Sequence, residues 1–269
     1  MTVGQKWRVV RRFLVMNFAN AAAYRIAFIM WMMSSIITPI IGLAIWRATA
    51  SSGADLPVST TYLTSYFVLS SLFSLATSAW HGSFIPGMIR EGNLSVSLMR
   101  PGSVFLEIVA NNLAEKAFKV IVLLPMVCAF GWAFREDIAI PGNPGRWLMA
   151  VLSLLLGAIM FFSLRTLMGT IGFWWEETRA IENGMNLVEG ILLGGIIPLA
   201  LFPGWSQGFM STQPFRFRFA FALDLLLRDM STSEIVKGFA WQVLWTGSML
   251  LASIWLWDRG RRAYSAVGG

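Results

Sequence analysis

Ionisable side chains are few in this sequence, and several stand where they could do chemistry. Glu107, Asn111, Glu115 and Lys119 recur every four residues, which stacks them on one face of a helix. Arg165 follows an 18-residue uncharged run, and Glu189 precedes another apolar stretch. At a rise of about 1.5 Å per residue, Lys119, Arg165 and Glu189 come to similar depth near one edge of their helices. Ionisable groups set in apolar helices tend to face a bundle interior or an aqueous cavity and to pair with one another. These residues therefore suit a polar pathway, an ion-pair network or proton transfer. Long cationic side chains also snorkel to a membrane surface, and the spacing leaves that reading open.

Other chemistry is excluded by what the chain lacks. It carries no Gly-rich loop ending in Lys-Ser or Lys-Thr, so it cannot cradle a nucleotide phosphate by that route. Neither a Gly-x-Ser-x-Gly elbow nor a His-Glu-x-x-His pair is present. A single histidine, His81, and a single cysteine, Cys128, give no metal-ligand set and no disulfide framework. No catalytic and no metal-ligating residue is expected, and His81, beside Trp80, reads as structural.

The elements that must position the charges are set by where charge is absent. The chain of 269 residues is 56% hydrophobic and 13% charged, against roughly a quarter charged in an average globular protein. A helix needs about 20 apolar residues to cross a ~30 Å hydrocarbon layer. Spans are read at residues 26–47, 61–83, 106–132, 147–174, 185–203 and 238–257, the third extended back through Lys119, Lys116 and Glu115 because its charge-free part, residues 120–134, is too short to cross. The sequence thus predicts a single all-α membrane domain of six transmembrane helices. Trp46, Trp80, Trp132, Trp147, Trp174, Trp175, Trp205, Trp241, Trp255 and Trp257 all fall close to these boundaries, as amphipathic rings do. Lys6, Arg8, Arg11, Arg12 and Arg25 precede the first window and only Arg47 follows it, which predicts cytoplasmic N- and C-termini. The formal net charge of +7 and the run Phe215-Arg216-Phe217-Arg218-Phe219 could suggest nucleic-acid binding. With six spans, the positive balance reads instead as contact with anionic headgroups of the bilayer, and no nucleic-acid partner is expected.

The segments between spans carry further patterns. Trp7, Val10, Leu14 and Phe18 follow a spacing of three and four, with Arg8, Arg11 and Arg12 beside them. Residues 1–22 therefore read as an interfacial arm, either an anchor or a clamp on a cytoplasmic partner. In residues 88–101, Gly92 permits a turn, Asn93 is a suitable N-cap, Leu94 and Leu98 lie one turn apart, and Pro101 ends the helix. This predicts a short amphipathic cytoplasmic helix. Gly190, Gly194, Gly195 and Pro198 predict that the fifth helix is kinked or broken. Residues 215–228 are expected on, or dipping into, the outer interface as a re-entrant segment.

Three local patterns resemble the ABC type 2 export permeases whose ATPase is a separate chain. They are Ile89-Arg90-Glu91-Gly92-Asn93-Leu94 continuing to Leu98-Met99-Arg100-Pro101; Gly195-Ile196-Ile197-Pro198-Leu199 with Phe202-Pro203-Gly204-Trp205 and Pro214-Phe215; and the terminal run from Gly260 to Gly269. The resemblance implies a membrane subunit, not itself catalytic, that exports a hydrophobic or amphipathic compound from the bacterial cytoplasmic membrane. Its implied partners are two copies of an ABC ATPase, which hold ATP and Mg, and a second permease chain, identical or paralogous. Coupling to the ATPase would fall on Arg90, Glu91, Gly92, Asn93, Leu94, Leu98 and Arg100, with Trp7, Arg8, Arg11 and Arg12. A polar network would comprise Glu107, Asn111, Glu115, Lys119, Arg165 and Glu189, and an outer gate Pro198, Phe202, Pro214, Phe215, Arg216 and Arg218. Arg216 and Arg218 stand where the family is more apolar, which points to an anionic or amphipathic cargo. A proton-coupled transporter or a membrane-embedded enzyme could use the same charges, and either would act without an ATPase.

Overall fold

Apolar runs build the long helices seen here. The computed structural model describes residues 25–99 and 104–264, with side chains from Ile36 onward except those of Leu106 and Val122, and, in the N-terminal arm, Trp7, Arg8, Arg11, Arg12, Val15, Met16 and Ala19. Val10, Leu14, Phe18, Arg100, Pro101 and residues 265–269, named above, lie outside the described residues. Among the described residues ten α-helices and no strands are present. They are α1 (Arg25–Ser51), α2 (Thr60–Ala76), α3 (His81–Arg90), α4 (Asn93–Met99), α5 (Val104–Ala133), α6 (Pro144–Thr170), α7 (Arg179–Leu192), α8 (Gln207–Thr212), α9 (Arg216–Leu227) and α10 (Thr232–Ala263). Two stretches among the described residues, Pro144–Phe173 and Thr232–Ala263, are long and apolar enough to cross a membrane.

Helix α2 shows how a Ser- and Thr-rich run becomes an apolar rod. Thr64 and Ser65 donate to the carbonyls of Thr60 and Thr61 at 2.9 and 2.8 Å, and Ser70 and Ser71 to that of Phe67 at 2.9 and 3.1 Å. With its hydroxyls bonded to its own backbone, the helix is buried from Leu63 to Ser71. It ends at Ala76, not at residue 83 as expected, and His81 begins a separate helix. The fifth window likewise yields no continuous helix to residue 203: α7 starts at Arg179, ends at Leu192, and gives way to Gly194 at φ +83° and a 3-10 turn at Leu199–Leu201. Its 14 residues rise only about 21 Å.

Helix α6 is the hub. Pro144 opens it behind Asn143, whose side chain accepts from the Gly145 amide at 2.8 Å. It packs against α10, α9 and α3. Helix α9 dips into the interior, with every residue from Arg216 to Leu226 buried, rather than resting on a surface. Gln242 of α10 ties three helices together, its Nε2 donating to the carbonyls of Ser153 at 2.8 Å and Phe217 at 3.0 Å. Closeness of α6 to α9 depends on Gly157, where a Cβ would stand 2.3 Å from the Arg218 carbonyl oxygen.

Gly157→Val is expected to separate α6 from α9 and destabilise the protein by about 3 kcal/mol, the upper end of ordinary overpacking. Gly247→Val, at a position with no atom within 4 Å of a Cβ, should leave the melting temperature nearly unchanged. Thermal unfolding in detergent compares the two, and equal melting temperatures would refute this account of the hub.

Candidate functional site, a buried charge cluster

Where α2 stops, its last carbonyls need donors, and a helix C-terminus attracts positive charge. Thr77 Oγ1 donates to Phe73 O at 2.9 Å, Ser78 Oγ to Leu75 O at 2.9 Å, and Arg218 Nη2 to Ser74 O at 3.3 Å. Arg218 Nε donates to Thr77 Oγ1 at 3.3 Å. From α5, Lys119 Nζ stands 3.5 Å from Ser78 Oγ and Asn112 Nδ2 3.4 Å from Ser78 O. Two cations thus converge on one helix end.

Arg218 also faces Glu189 of α7, its Nη1 at 3.9 Å from the carboxylate, while Arg165 of α6 bonds the same oxygen at 2.8 Å. Both guanidiniums sit over the Phe161 ring, at 4.0 and 5.0 Å from its centroid. Arg165 reaches Asn186 at 3.2 Å as well. One carboxylate is thus shared by two guanidiniums, leaving a net positive charge at the cluster. Glu189 Oε1 and Arg165 Nε are buried with no hydrogen-bond partner.

The expected polar network divides in two. Arg165 and Glu189 form the ion pair just described, whereas Lys119, 1% exposed, pairs with Glu115 one turn away on its own helix. Lys119 meets the cluster at the end of α2, through Ser78. Glu107 and Asn111 are half-buried further along the same helix. Of the residues grouped as an outer gate, Arg216 and Arg218 are buried, and Arg216 closes on Asp224 of its own helix at 2.9 Å. Pro198 is buried at the start of the 3-10 turn, while Phe202, Pro214 and Phe215 are half-buried, Phe202 and Phe215 against the main hydrophobic core.

The residues expected to contact an ATPase are placed differently in detail. Gly92 takes φ +74° between α3 and α4, so Asn93 is the first residue of α4, not its cap, and donates to Glu91 Oε2 at 3.0 Å. Leu94 is buried with Ile85, Ile89, Ile108 and Trp257. Leu98 points away from it, 41% exposed, because Leu94 and Ser97 form the inward face. Arg90 is exposed and donates to Glu176 O at 3.5 Å. Trp7, Arg8, Arg11 and Arg12 are exposed, and the three arginines line a cavity of about 430 Å³ with Val15, Met16 and Ala19.

Thr77, Ser74, Phe161 and Asp224 belong to the network and were not singled out from the sequence. Asp224 had a signal: it lies eight residues, about two turns, after Arg216. Among the described residues no group of three or more His, Cys, Asp or Glu side chains comes together to hold a metal ion.

A sequence model described as "ABC-2 family transporter protein" matches residues 29–268. No curated protein matches the chain. The family match spans most of the sequence, and the chain belongs to the ABC-2 transporter family, integral membrane components of ABC transporters that work with ABC ATPase partners.

Glu189→Gln leaves two buried guanidiniums facing each other and should cost about 3–5 kcal/mol. Arg165→Gln leaves Glu189 to Arg218 and should cost less. In a double-variant cycle read by thermal unfolding, a coupling of about 1–3 kcal/mol is expected. Strict additivity would show that the pair carries no interaction.

Proposed function

We propose that this member of the ABC-2 family crosses the bacterial cytoplasmic membrane six times, with both termini in the cytoplasm. It forms, with a second permease chain, an export pathway for a hydrophobic or amphipathic compound. Two copies of a separate ATPase bind below, hydrolyse ATP with Mg, and press on the α3–α4 hairpin and the N-terminal arm. The observation that carries this reading is the way the hairpin is joined to the charge cluster. At Gly82, in the first turn of α3, a Cβ would stand 2.6 Å from the Arg165 carbonyl oxygen. At Gly169 and Gly172 the lower end of α6 meets α3 as closely, against Gly82, Ile85 and Pro86. Close-packed backbones move together, since packed interiors transmit displacement rather than absorb it.

A push on α4 is therefore delivered to the backbone of Arg165. Glu189, on the separate helix α7, then exchanges Arg165 for Arg218, which it already faces at 3.9 Å. Because one carboxylate serves two guanidiniums, the exchange leaves no anion bare, and the released arginine presents a positive charge to the pathway. An amphipathic cargo with an anionic head matches that charge.

The experiment is affinity purification of the tagged chain from mild detergent, with ATPase activity measured on the eluate. Arg90→Glu combined with Leu98→Asp, both exposed positions, should abolish co-purification of the ATPase while leaving the melting temperature unchanged. Leu94→Ala should instead destabilise the protein by about 2–5 kcal/mol, as a buried leucine does. A chain that purifies alone yet transports would overturn the reading in favour of a proton-coupled mechanism.

A further inference from the structure

We propose that Trp174, Trp255, Leu256, Arg259, Arg262 and Ala263 form a specific site for one anionic phospholipid at the C-terminal membrane boundary of α10. These residues line a cavity of about 580 Å³. The inference rests on the chain being an integral membrane protein and is independent of what it transports.

The order of side chains along one helix face matches the order of groups along a lipid. Leu251 is 70% exposed and Trp255 56%, and Arg259 and Arg262 are exposed beyond them. Residues at these spacings share a face of the helix. Read towards the C-terminus, the face passes from aliphatic to aromatic to cationic over about 16 Å. Acyl chains lie against the first, the glycerol region at the amphipathic ring, and phosphate at the guanidiniums.

Two features make this more than a basic surface. The opposite wall, Trp174, comes from a different element, the 3-10 turn after α6, and is fixed there. Its amide donates to Ile171 O at 3.0 Å, and its neighbour Phe173 packs edge-on against Trp257 and Tyr264 at 5.7 and 6.2 Å. The cations are also free to bind. Arg261 is paired with Asp258 at 2.8 Å, whereas Arg259 and Arg262 have no carboxylate partner among the described residues. Arg259 lies over the Trp255 ring at 4.5 Å, which directs its donors along the aromatic wall. A hydrophilic peptide or nucleotide would satisfy the arginines and leave the aromatic and aliphatic strip bare; a phospholipid covers both.

The test uses the full chain in nonionic detergent, titrated with phosphatidylglycerol, phosphatidylcholine or inorganic phosphate. Melting temperature and native mass spectrometry are the readouts. Phosphatidylglycerol should raise the melting temperature saturably and remain bound as one molecule per chain; phosphatidylcholine and phosphate should do neither. Arg259→Gln with Arg262→Gln should weaken that binding by about thirtyfold, the product of two juxtamembrane arginines. Trp174→Leu should also weaken it. Arg135→Gln, which removes an exposed arginine stacked on Trp132 at 5.0 Å elsewhere on the surface, should not. Equal binding by the double variant and the parent, or equal protection by both lipids, would overturn the proposal. So would a double variant that binds phosphatidylglycerol normally but loses its co-purifying ATPase, since the surface would then belong to a protein partner.

Discussion

A guanidinium taken out of water must be surrounded by partners, and the arrangement of this chain follows from placing Arg218 in its interior. Desolvating such a group costs several kcal/mol unless hydrogen bonds and an opposite charge replace the water. Helix α9 carries Arg218 inward, so α2 must end where its carbonyl oxygens can receive it. From the other side α7 brings up Glu189, and α6 supplies the Phe161 face together with the glycine that lets α9 approach. Four helices meet at one charge. Remove it, and the break at Thr77–Trp80, the approach at Gly157 and the burial of Glu189 lose their common cause.

The same constraint explains how the hairpin α3–α4 comes to lie against α6. Had α2 continued as a straight helix to residue 83, His81 and Gly82 would belong to it, and α3 could not fold back along α6. The interruption frees α3 to lie against the lower end of α6, where His81 Nε2 meets Thr166 Oγ1 at 2.8 Å. A second attachment runs from Ser95 of α4 to the Tyr264 hydroxyl at 3.0 Å, beyond the end of α10. The hairpin is therefore fastened to both long apolar helices and moves neither alone.

Much of this was legible because it is local. Charge-free windows marked where α1 and α10 run, the uncharged run before Arg165 marked most of α6, an apolar stretch extended back through Lys119 and Glu115 marked α5, and glycines with Pro198 marked the interruption after α7, since backbone irregularity follows from residue type. The four-residue spacing of Glu115 and Lys119 held their ion pair, and equal depth brought Arg165 and Glu189 together. The break after Ala76 was not legible. Its run of Thr, Ser and Ala contains no Gly or Pro, and the cation that ends the helix lies 141 residues away in sequence. The burial of α9 was not legible for a related reason, since the end of α2 that receives Arg218 is equally distant in sequence. Leu98 misled because α4 is only seven residues long, and packing of Leu94 and Ser97 decides which side faces in.

The charges of the interior are not equivalent, and the difference bears on which of them a passing ligand can address. Arg216 closes on Asp224 within its own helix, so any ligand competing for it would leave that buried carboxylate only the more distant Arg228, at 3.8 Å. Arg165 holds Glu189 at 2.8 Å and can leave it only as Arg218, at 3.9 Å, moves in. Arg218 is held by weaker partners: a hydroxyl, one helix-terminal carbonyl, an aromatic face and, at 3.9 Å, a carboxylate oxygen that Arg165 already engages. Each of those can give up the guanidinium at small cost, because none is an unshared charge. The residue whose burial organises the fold is thus also the one whose partners are the most readily exchanged.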